Sequence, residues 1–413
     1  MRYVLVIGDG MADDPTPVLG GKTPLESVDT PVMDRLSAGG VLGSVWNCPQ
    51  EFPAGSDTAI LSIFGCDPRV CYTGRAPLEA AAQGVRLQPG DLAFRCNMAS
   101  LEEGDMPFDR RRILSHSSGG IDGETSKALV EALFAHPDFR PLAEAAGLKV
   151  HPTLTYRHIC VQSQGDPKGL VLSPPHDHLN EVCGAYLPHG SANGEVLRGL
   201  MEKSFEILRK LPANLQRQAE GKLPANCIWF WAEGTAVELP NFPARYGKRG
   251  AVISAVPLCH GIAALTGLDR IEVPGATGEK DTNYRGKAEY AVRALLEQGY
   301  DFVGIHVEAP DECTHNGDTP GKLESIAAID REVLGTLTEA LAGEDYRILV
   351  LSDHKTLTDT RGHAYGYVPF LLYDSRGGKA SGLTYTEANG LLGPHVEDGT
   401  ALMDLLFQTG GEA

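Results

Sequence analysis

Arg347-Ile348-Leu349-Val350-Leu351-Ser352-Asp353-His354 is an apolar run of strand length that ends in an acid and an imidazole. Unbroken aliphatic residues suit a strand buried on both faces of a parallel sheet. The polar pair then falls at its carboxyl end, where open α/β sheets bind ligands. His363 follows, just before a second apolar run, Val368-Pro369-Phe370-Leu371-Leu372-Tyr373. Alone, an Asp-His pair after a strand is more simply a capped turn. Matching ligands from other segments are what would make it a site.

Working outward, Tyr3-Val4-Leu5-Val6-Ile7 reads as a first buried strand, and Gly8-Asp9-Gly10-Met11 sets a second carboxylate at a strand end, as a ligand or as an Asp-Gly turn. Thr23 to Gly39 has a helix-like pattern, with Thr30-Pro31 as cap and first helical position. In Pro53 to Gly65 a small-residue turn feeds a helix, placing Ser56 at or near its N-terminus. Unsatisfied N–H groups and the helix dipole favour a phosphate or oxyanion there. N-capping is the simpler role for Ser56, but Asp57 or Thr58 could cap instead and release it for chemistry. Arg75 is a phosphate ligand or the partner of a surface acid. Further on, Arg270 to Gly275 reads as a short buried strand, and Lys287 opens a helix to about Gln298. Phe302 to Val307 is a strand that ends in Glu308-Ala309-Pro310-Asp311-Glu312-Cys313-Thr314-His315, where one helical turn would put Asp311 and His315 on a single face. A helix through Leu323, Ile326, Val333, Leu334, Leu337 and Leu341 leads back to the opening strand and completes a parallel strand, helix, strand unit.

The texture differs over residues 86–225. Asp109-Arg110-Arg111-Arg112, Ser115-His116-Ser117-Ser118-Gly119-Gly120, Tyr156-Arg157-His158 and Pro175-His176-Asp177-His178 bring basic and histidine side chains into its loops. Val196, Leu200, Met201, Phe205, Leu208 and Leu211 recur at helical spacing. These residues predict a smaller inserted α/β domain, with 1–85 and 226–413 as a discontinuous core. Arg110, Arg112 and Arg157 are an anion clamp or a solvated basic face.

A chain of 413 residues is long enough for two domains. Lys+Arg 36 against Asp+Glu 54 gives a net charge of −18, which argues against nucleic acid bound through a broad basic surface, while a local arginine cluster or metal still admits a small anion. No apolar run approaches the ~20 residues of a membrane helix. Nine scattered cysteines without a C-x-x-C pattern fit reduced thiols, and the start of the chain runs straight into a strand with no h-region. A cytoplasmic protein is expected.

Asp9, Ser56, Asp311, His315, Asp353, His354 and His363 thus form a mixed oxygen and imidazole set suited to two divalent cations. At these residues the sequence resembles the alkaline phosphatase superfamily, and more closely the archaeal-type 2,3-bisphosphoglycerate-independent phosphoglycerate mutases and their bacterial relatives. The resemblance runs through Ile7-Gly8-Asp9-Gly10-Met11, Gly21-Lys22-Thr23-Pro24-Leu25-Glu26, Gly55-Ser56-Asp57-Thr58-Ala59, Tyr72-Thr73-Gly74-Arg75, Phe94-Arg95-Cys96-Asn97, Tyr156-Arg157-His158, Pro175-His176-Asp177, Ala309-Pro310-Asp311-Glu312 and Leu351-Ser352-Asp353-His354.

The resemblance implies an alkaline-phosphatase-like, mostly parallel sheet flanked by helices, with the inserted domain as a substrate-binding lid. It implies Ser56 as a phosphorylated nucleophile, one metal on Asp9, Ser56, Asp353 and His354, and another on Asp311, His315 and His363. Mn²⁺ leads Mg²⁺, Zn²⁺ and Co²⁺ for both positions, and no bisphosphoglycerate is needed. Arg157, His176, Lys287, Arg110 and Arg75 are the implied substrate ligands. The implied activity interconverts 3- and 2-phosphoglycerate in glycolysis and gluconeogenesis; the partner is a small phosphorylated substrate, and a homo-oligomer is admitted. Two departures stand out: Ile60 replaces an expected polar residue, and Trp231-Ala232-Glu233-Gly234 stands where an arginine is expected. With Ser115 to Gly120 they resemble a bacterial branch proposed to act as homoserine kinase. A non-catalytic metal-stabilised binding protein is the remaining alternative.

Overall fold

The computed structural model describes residues 1–408, and its contacts divide the chain into two compact units: Met1–Tyr72 with the chain from Glu238 onward, and Thr73–Val237. The first is built on an eight-stranded sheet. Its order is His395–Val396, Val41–Val45, Val368–Asp374, Tyr346–Leu351, Arg2–Gly8, Phe302–Val307, Gly250–Ile253 and Asp269–Arg270. Only Val368–Asp374 runs against the others. The three central strands, Tyr346–Leu351, Arg2–Gly8 and Phe302–Val307, are buried along almost their whole length, as their unbroken aliphatic runs require. Their alternate faces fill two helical layers. Val4, Val6, Ile305, Ile348 and Val350 pack with Ala288, Ala291, Leu295, Ile326, Val333 and Leu337 of the covering helices. On the opposite face Phe302 meets Phe64, Phe242 and Phe407.

Register then decides where the polar residues go. Ile7 pairs with Leu351, and Gly8 with Val307, so the three central strands end at the same level. The next residues of each strand are the ones that carry carboxylates.

Two local expectations change. Arg270 to Gly275 is not a buried strand: only Asp269–Arg270 pairs, both exposed, at the edge of the sheet. Thr23 to Gly39 is two helices, Pro24–Ser27 and Pro31–Gly39. Pro31 does open the second, but Thr30 makes no side-chain cap. Buried Asp330 takes that part, accepting from Met33 N at 2.7 Å and Val32 N at 3.2 Å.

The second unit is an antiparallel sheet. Its central strand, Leu92–Leu101, is wholly buried between Arg157–Gln162 and Cys227–Thr235, with Ile113–Ser115 and Leu148–His151 at the margins. Helices Gly123–Ala135 and Ala192–Leu208 close the core with Leu129, Leu133, Leu197, Leu200, Met201, Phe205 and Leu208. Val196 is 44% exposed, and Leu197 takes the inward position expected of it, being in step with Leu200, Met201 and Ser204. The unit also reaches past 86–225 at both ends. Cys227–Thr235 is a direct neighbour of the central strand, and Ala80 of helix Arg75–Ala82 packs on Ile159 and Val161.

Among the described residues no helix is long and apolar enough to cross a membrane, and all nine cysteines are free and buried. Leu349 is fully buried in a central strand. Leu349→Ala is expected to lower unfolding stability by about 2–5 kcal/mol, measurable by urea denaturation; a loss below about 1 kcal/mol would mean this strand is not packed as described.

Candidate functional site

The level ends of the central strands gather the carboxylates. Asp9 follows Arg2–Gly8, Asp353 follows Tyr346–Leu351, and Asp311 sits on helix Ala309–His315 just after Phe302–Val307. Their exposures are 1%, 1% and 5%. Ser56 is the first residue of helix Ser56–Ile63; Gly55 holds the N-cap position without a side-chain bond, so the serine hydroxyl is not spent on capping. Ser56 Oγ lies 3.3 Å from Asp9 Oδ2 and 3.1 Å from His354 Nε2. His363 arrives on a small hairpin, Lys355–Leu357 with Gly362–Ala364, directly across from Thr356.

Two groups result, Asp9 with Asp353 and His354, and Asp311 with His315 and His363; within each, the ligand atoms lie within 4.8 Å of one another. The groups adjoin, since the rings of His354 and His363 are 4.3 Å apart.

Both groups suit a divalent cation. In the second, His315 Nδ1 bonds the Arg361 carbonyl at 2.7 Å and His363 Nδ1 bonds the Ala54 carbonyl at 3.1 Å. A carbonyl oxygen only accepts, so both Nδ1 atoms carry protons, and the two Nε2 atoms face each other at 3.0 Å. Two facing lone pairs need a proton or a metal ion between them. Asp311 Oδ2 is 3.1 Å from His315 Nε2, and Asp311 Oδ1 is 3.5 Å from His363 Nε2, completing a three-sided cradle. In the first group, Asp9 Oδ1 and Asp353 Oδ2 are buried with no hydrogen-bond partner, 3.5 and 3.2 Å from His354 Nε2. Orphaned carboxylate oxygens at such depth are costly unless something cationic meets them. Among the described residues, the ion-pair partners of Asp9, Asp311 and Asp353 are imidazoles alone. Burial first, and then the charges of Asp353 and Asp311, push the Asp9 carboxyl well above its ordinary range. The Asp311 carboxylate in turn pushes His315 up to about 9.

Several contacts here had no sequence signal. His306, inside the strand Phe302–Val307, donates from Nε2 to Asp9 Oδ2 at 2.9 Å. Asn47 donates to the carbonyls of Ser352 and Asp353. Thr356 donates to Asp311 Oδ1 at 2.5 Å. Lys287, which the resemblance does name, is 1% exposed and donates to the His306 carbonyl at 2.9 Å, and burial pushes it down to about 8.

The second unit has its own polar cluster. Register places Arg95 opposite Trp231, and Asn97 opposite Arg157. Asn97 Oδ1 accepts from Arg157 Nε at 3.3 Å and from Trp231 Nε1 at 2.9 Å. The indole has two guanidinium groups in cation–π range, Arg95 at 4.6 Å and Arg157 at 5.1 Å. His176 stands edge-on to Trp231 at 4.9 Å and 5.8 Å from His116, whose Nδ1 is buried without a partner. Burial foremost, with Arg157 adding to it, lowers the pKa of both histidines. Arg95 forms a two-pronged pair with Glu79, and Arg75 reaches the same carboxylate at 3.2 Å. Arg110 is exposed on the turn Phe108–Arg110, with no side-chain contact to Arg157 or His176 among the described residues. Arg111 beside it is structural, donating to the carbonyls of Glu102, Gly104 and Met106.

A family model described as 2,3-bisphosphoglycerate-independent phosphoglycerate mutase matches residues 37–214. A relative from Methanothermobacter thermautotrophicus, bearing that name with the number 2, is 43% identical over 90% of this chain and 88% of its own. The chain belongs to this family. A solved structure of a Pyrococcus horikoshii protein superposes with a TM-score of 0.78 at 30% identity, covering 100% of this chain and 99% of that one. The cofactor-independent phosphoglycerate mutase from Thermoplasma acidophilum gives a TM-score of 0.63 at 25% identity over 98% of each chain. The family's architecture therefore extends across both units.

Burial alone would raise Glu79, but the charge and hydrogen bond of Arg95, helped by Arg75 and Arg157, outweigh it and hold the carboxyl down at about 2 against an ordinary 4.5. Its contribution to stability is complete above about pH 4.5 and drains away as pH falls towards about 2. Acid titration followed by tryptophan fluorescence is expected to show this loss in the second unit. Glu79→Gln should flatten the profile and destabilise by about 3–5 kcal/mol, because Arg95 is left buried without its counter-charge.

Proposed function

We propose that the chain interconverts 3-phosphoglycerate and 2-phosphoglycerate without bisphosphoglycerate, with Ser56 carrying the phosphoryl group between the two positions. The observation that carries this is Ser56 itself: in a chain of the mutase family, a hydroxyl at a helix start that is not used for capping lies 3.3 Å from Asp9 and 3.1 Å from His354. Asp9, Ser56, Asp353 and His354 would hold one divalent cation, and Asp311, His315 and His363 the other. Carboxylate and hydroxyl oxygens favour Mn²⁺ or Mg²⁺, and three imidazoles admit Zn²⁺ or Co²⁺; Mn²⁺ suits the mixture best. When bound, such a cation pair would supply a lowered hydroxyl pKa and charge neutralisation for the in-line displacement.

Ser56 Oγ attacks the phosphorus of 3-phosphoglycerate, the bond to the 3-oxygen breaks, and the proton lost by Oγ is matched by one gained on the departing 3-oxygen. Glycerate is retained and reorients; its 2-hydroxyl attacks the phosphoserine, the Oγ–P bond breaks, and the proton lost by the 2-hydroxyl is matched by one regained on Oγ. The Ser56 and Asp57 N–H groups at the start of Ser56–Ile63 would donate to the transferred phosphoryl oxygens, since those of Thr58 and Ala59 serve Asp57 Oδ1 and the Gly55 carbonyl. Water must be excluded while phosphoserine exists, or the product is phosphate. In the second unit Arg157 and His176 are the leading ligands for the substrate's carboxylate, because the paired Glu79 already draws on Arg75. Lys287 and Arg110 are secondary candidates. The reaction belongs to glycolysis and gluconeogenesis, in the cytoplasm.

The homoserine kinase alternative draws on Trp231-Ala232-Glu233-Gly234, where an arginine is expected. Purified protein with Mn²⁺ is expected to interconvert the two phosphoglycerates with no bisphosphoglycerate added. Absence of that turnover beside ATP-dependent phosphorylation of homoserine would replace the mutase with the kinase. Elemental analysis should find about two divalent ions per chain, and chelation should abolish turnover. Ser56→Ala should lose both activity and the phosphoserine seen by intact-mass spectrometry, whereas a metal-stabilised binding protein would be indifferent to it.

A further inference from the structure

Each of the three histidines that offer Nε2 to the paired groups has its Nδ1 held by oxygen, but the holders differ. For His315 and His363 they are the carbonyls of Arg361 and Ala54. For His354 they are the Lys355 carbonyl at 3.3 Å and Thr356 Oγ1 at 3.2 Å. The carbonyl only accepts, so the Nδ1 of His354 carries the proton and Nε2 presents its lone pair to Ser56, Asp9 and Asp353. Thr356 Oγ1 therefore accepts from His354, and its single proton is given to Asp311 Oδ1 at 2.5 Å. The direction of the chain His354, Thr356, Asp311 is thereby forced.

We propose that Thr356 is a positioning residue that joins the two cation groups through this one hydroxyl, an inference that rests on the two-cation function above. His354 belongs to the first group and Asp311 to the second, so the bond that fixes the imidazole ring in one also aims a carboxylate oxygen in the other.

Thr356 is itself held on all sides. It is 0% exposed; its N–H donates to the Ala12 carbonyl at 3.1 Å, and its carbonyl accepts from Lys322 Nζ at 2.7 Å. Lys322 is buried with its ammonium also on Asp13, at 2.9 Å. Across the hairpin Thr356 is paired with His363. The space around its hydroxyl depends on Gly10, whose φ is +59°. A Cβ there would stand 2.3 Å from Thr356 Oγ1 and 2.7 Å from Asp311 Oδ1. The loop that carries Asp9 is thus shaped around this hydrogen bond as well.

The test compares wild type, Thr356→Val, Thr356→Ser and Thr358→Val, all stripped of metal and titrated with Mn²⁺ by calorimetry, together with ¹⁵N NMR of the histidine ring nitrogens in the metal-free proteins. Thr358 lies on the same segment, but its hydroxyl serves Asp13. Thr356→Val is expected to weaken both sites, by about 10–100-fold, as loss of an outer-shell partner does. In the NMR spectra the Nδ1 resonance of His354 should shift as the Thr356 contact is lost, while the proton stays on Nδ1, where the Lys355 carbonyl still accepts it. Thr356→Ser should restore affinity and resonance, and Thr358→Val should leave both as in wild type. The inference is overturned if Thr356→Val binds two ions with wild-type affinity, if only one site weakens, or if Thr358→Val weakens both equally, which would reduce the effect to a disturbed strand. A wild type that binds no Mn²⁺ would instead overturn the two-cation function itself, and this inference with it.

Discussion

Three carboxylates buried within reach of one another, Asp9, Asp311 and Asp353, are the constraint on which the first unit depends. Water is largely excluded from all three, and their neighbours in ion-pair range are imidazoles. Such a gathering opposes folding, since each carboxylate loses hydration and meets like charge. The sheet overcomes this by making their positions unavoidable. Three long aliphatic strands in parallel register end at one level, and their buried side chains join one extended apolar core. The chain thus holds this gathering of carboxylates in place through apolar packing elsewhere, the usual relation between a pre-organised site and its scaffold.

That relation explains what could be read from the residues alone. Strands such as Tyr346–Leu351 are legible because burial on both faces demands unbroken aliphatic sequence, and the acids stand out because they interrupt it. The turn Asp311 to His315 is legible because the spacing of a helix is local. Thr356, His306 and Asn47 are not legible. Each matters through a partner far along the chain, as His306 does through Asp9, and neither threonine nor a histidine inside an apolar strand carries a local mark of that use. The cap of Pro31–Gly39 is the same lesson in reverse: Thr30 has the right chemistry in the right place, and Asp330, distant in sequence, does the work.

The second unit manages charge differently. In a chain of net charge −18, Arg75, Arg95 and Arg157 collect around a single buried glutamate and a tryptophan. Glu79 takes up Arg95 and part of Arg75, so the guanidinium of Arg157 is the one whose hydrogen-bond partners are neutral, Asn97 and Tyr156. Trp231 opens the stretch to Gly234 in which the family resemblance calls for an arginine. Its ring stands in cation–π range of both Arg95 and Arg157 and, through the shared Asn97 oxygen, helps to set the edge of Arg157.

The two ends of the second unit are fastened to each other. Thr73 Oγ1 donates to the Thr235 carbonyl at 2.7 Å, and the backbone of Gly74, at a φ of +143°, runs so close to Glu233 that a Cβ would meet the Glu233 carbonyl oxygen at 2.0 Å. To the chain that enters and leaves it, a unit closed in this way behaves as a short loop, whatever its length, because its ends are already together. Residues 73–237 are in this sense a cassette. They can lengthen, shorten or be exchanged for another fold with meeting ends, and the strands on either side of the insertion point would feel only a change of loop.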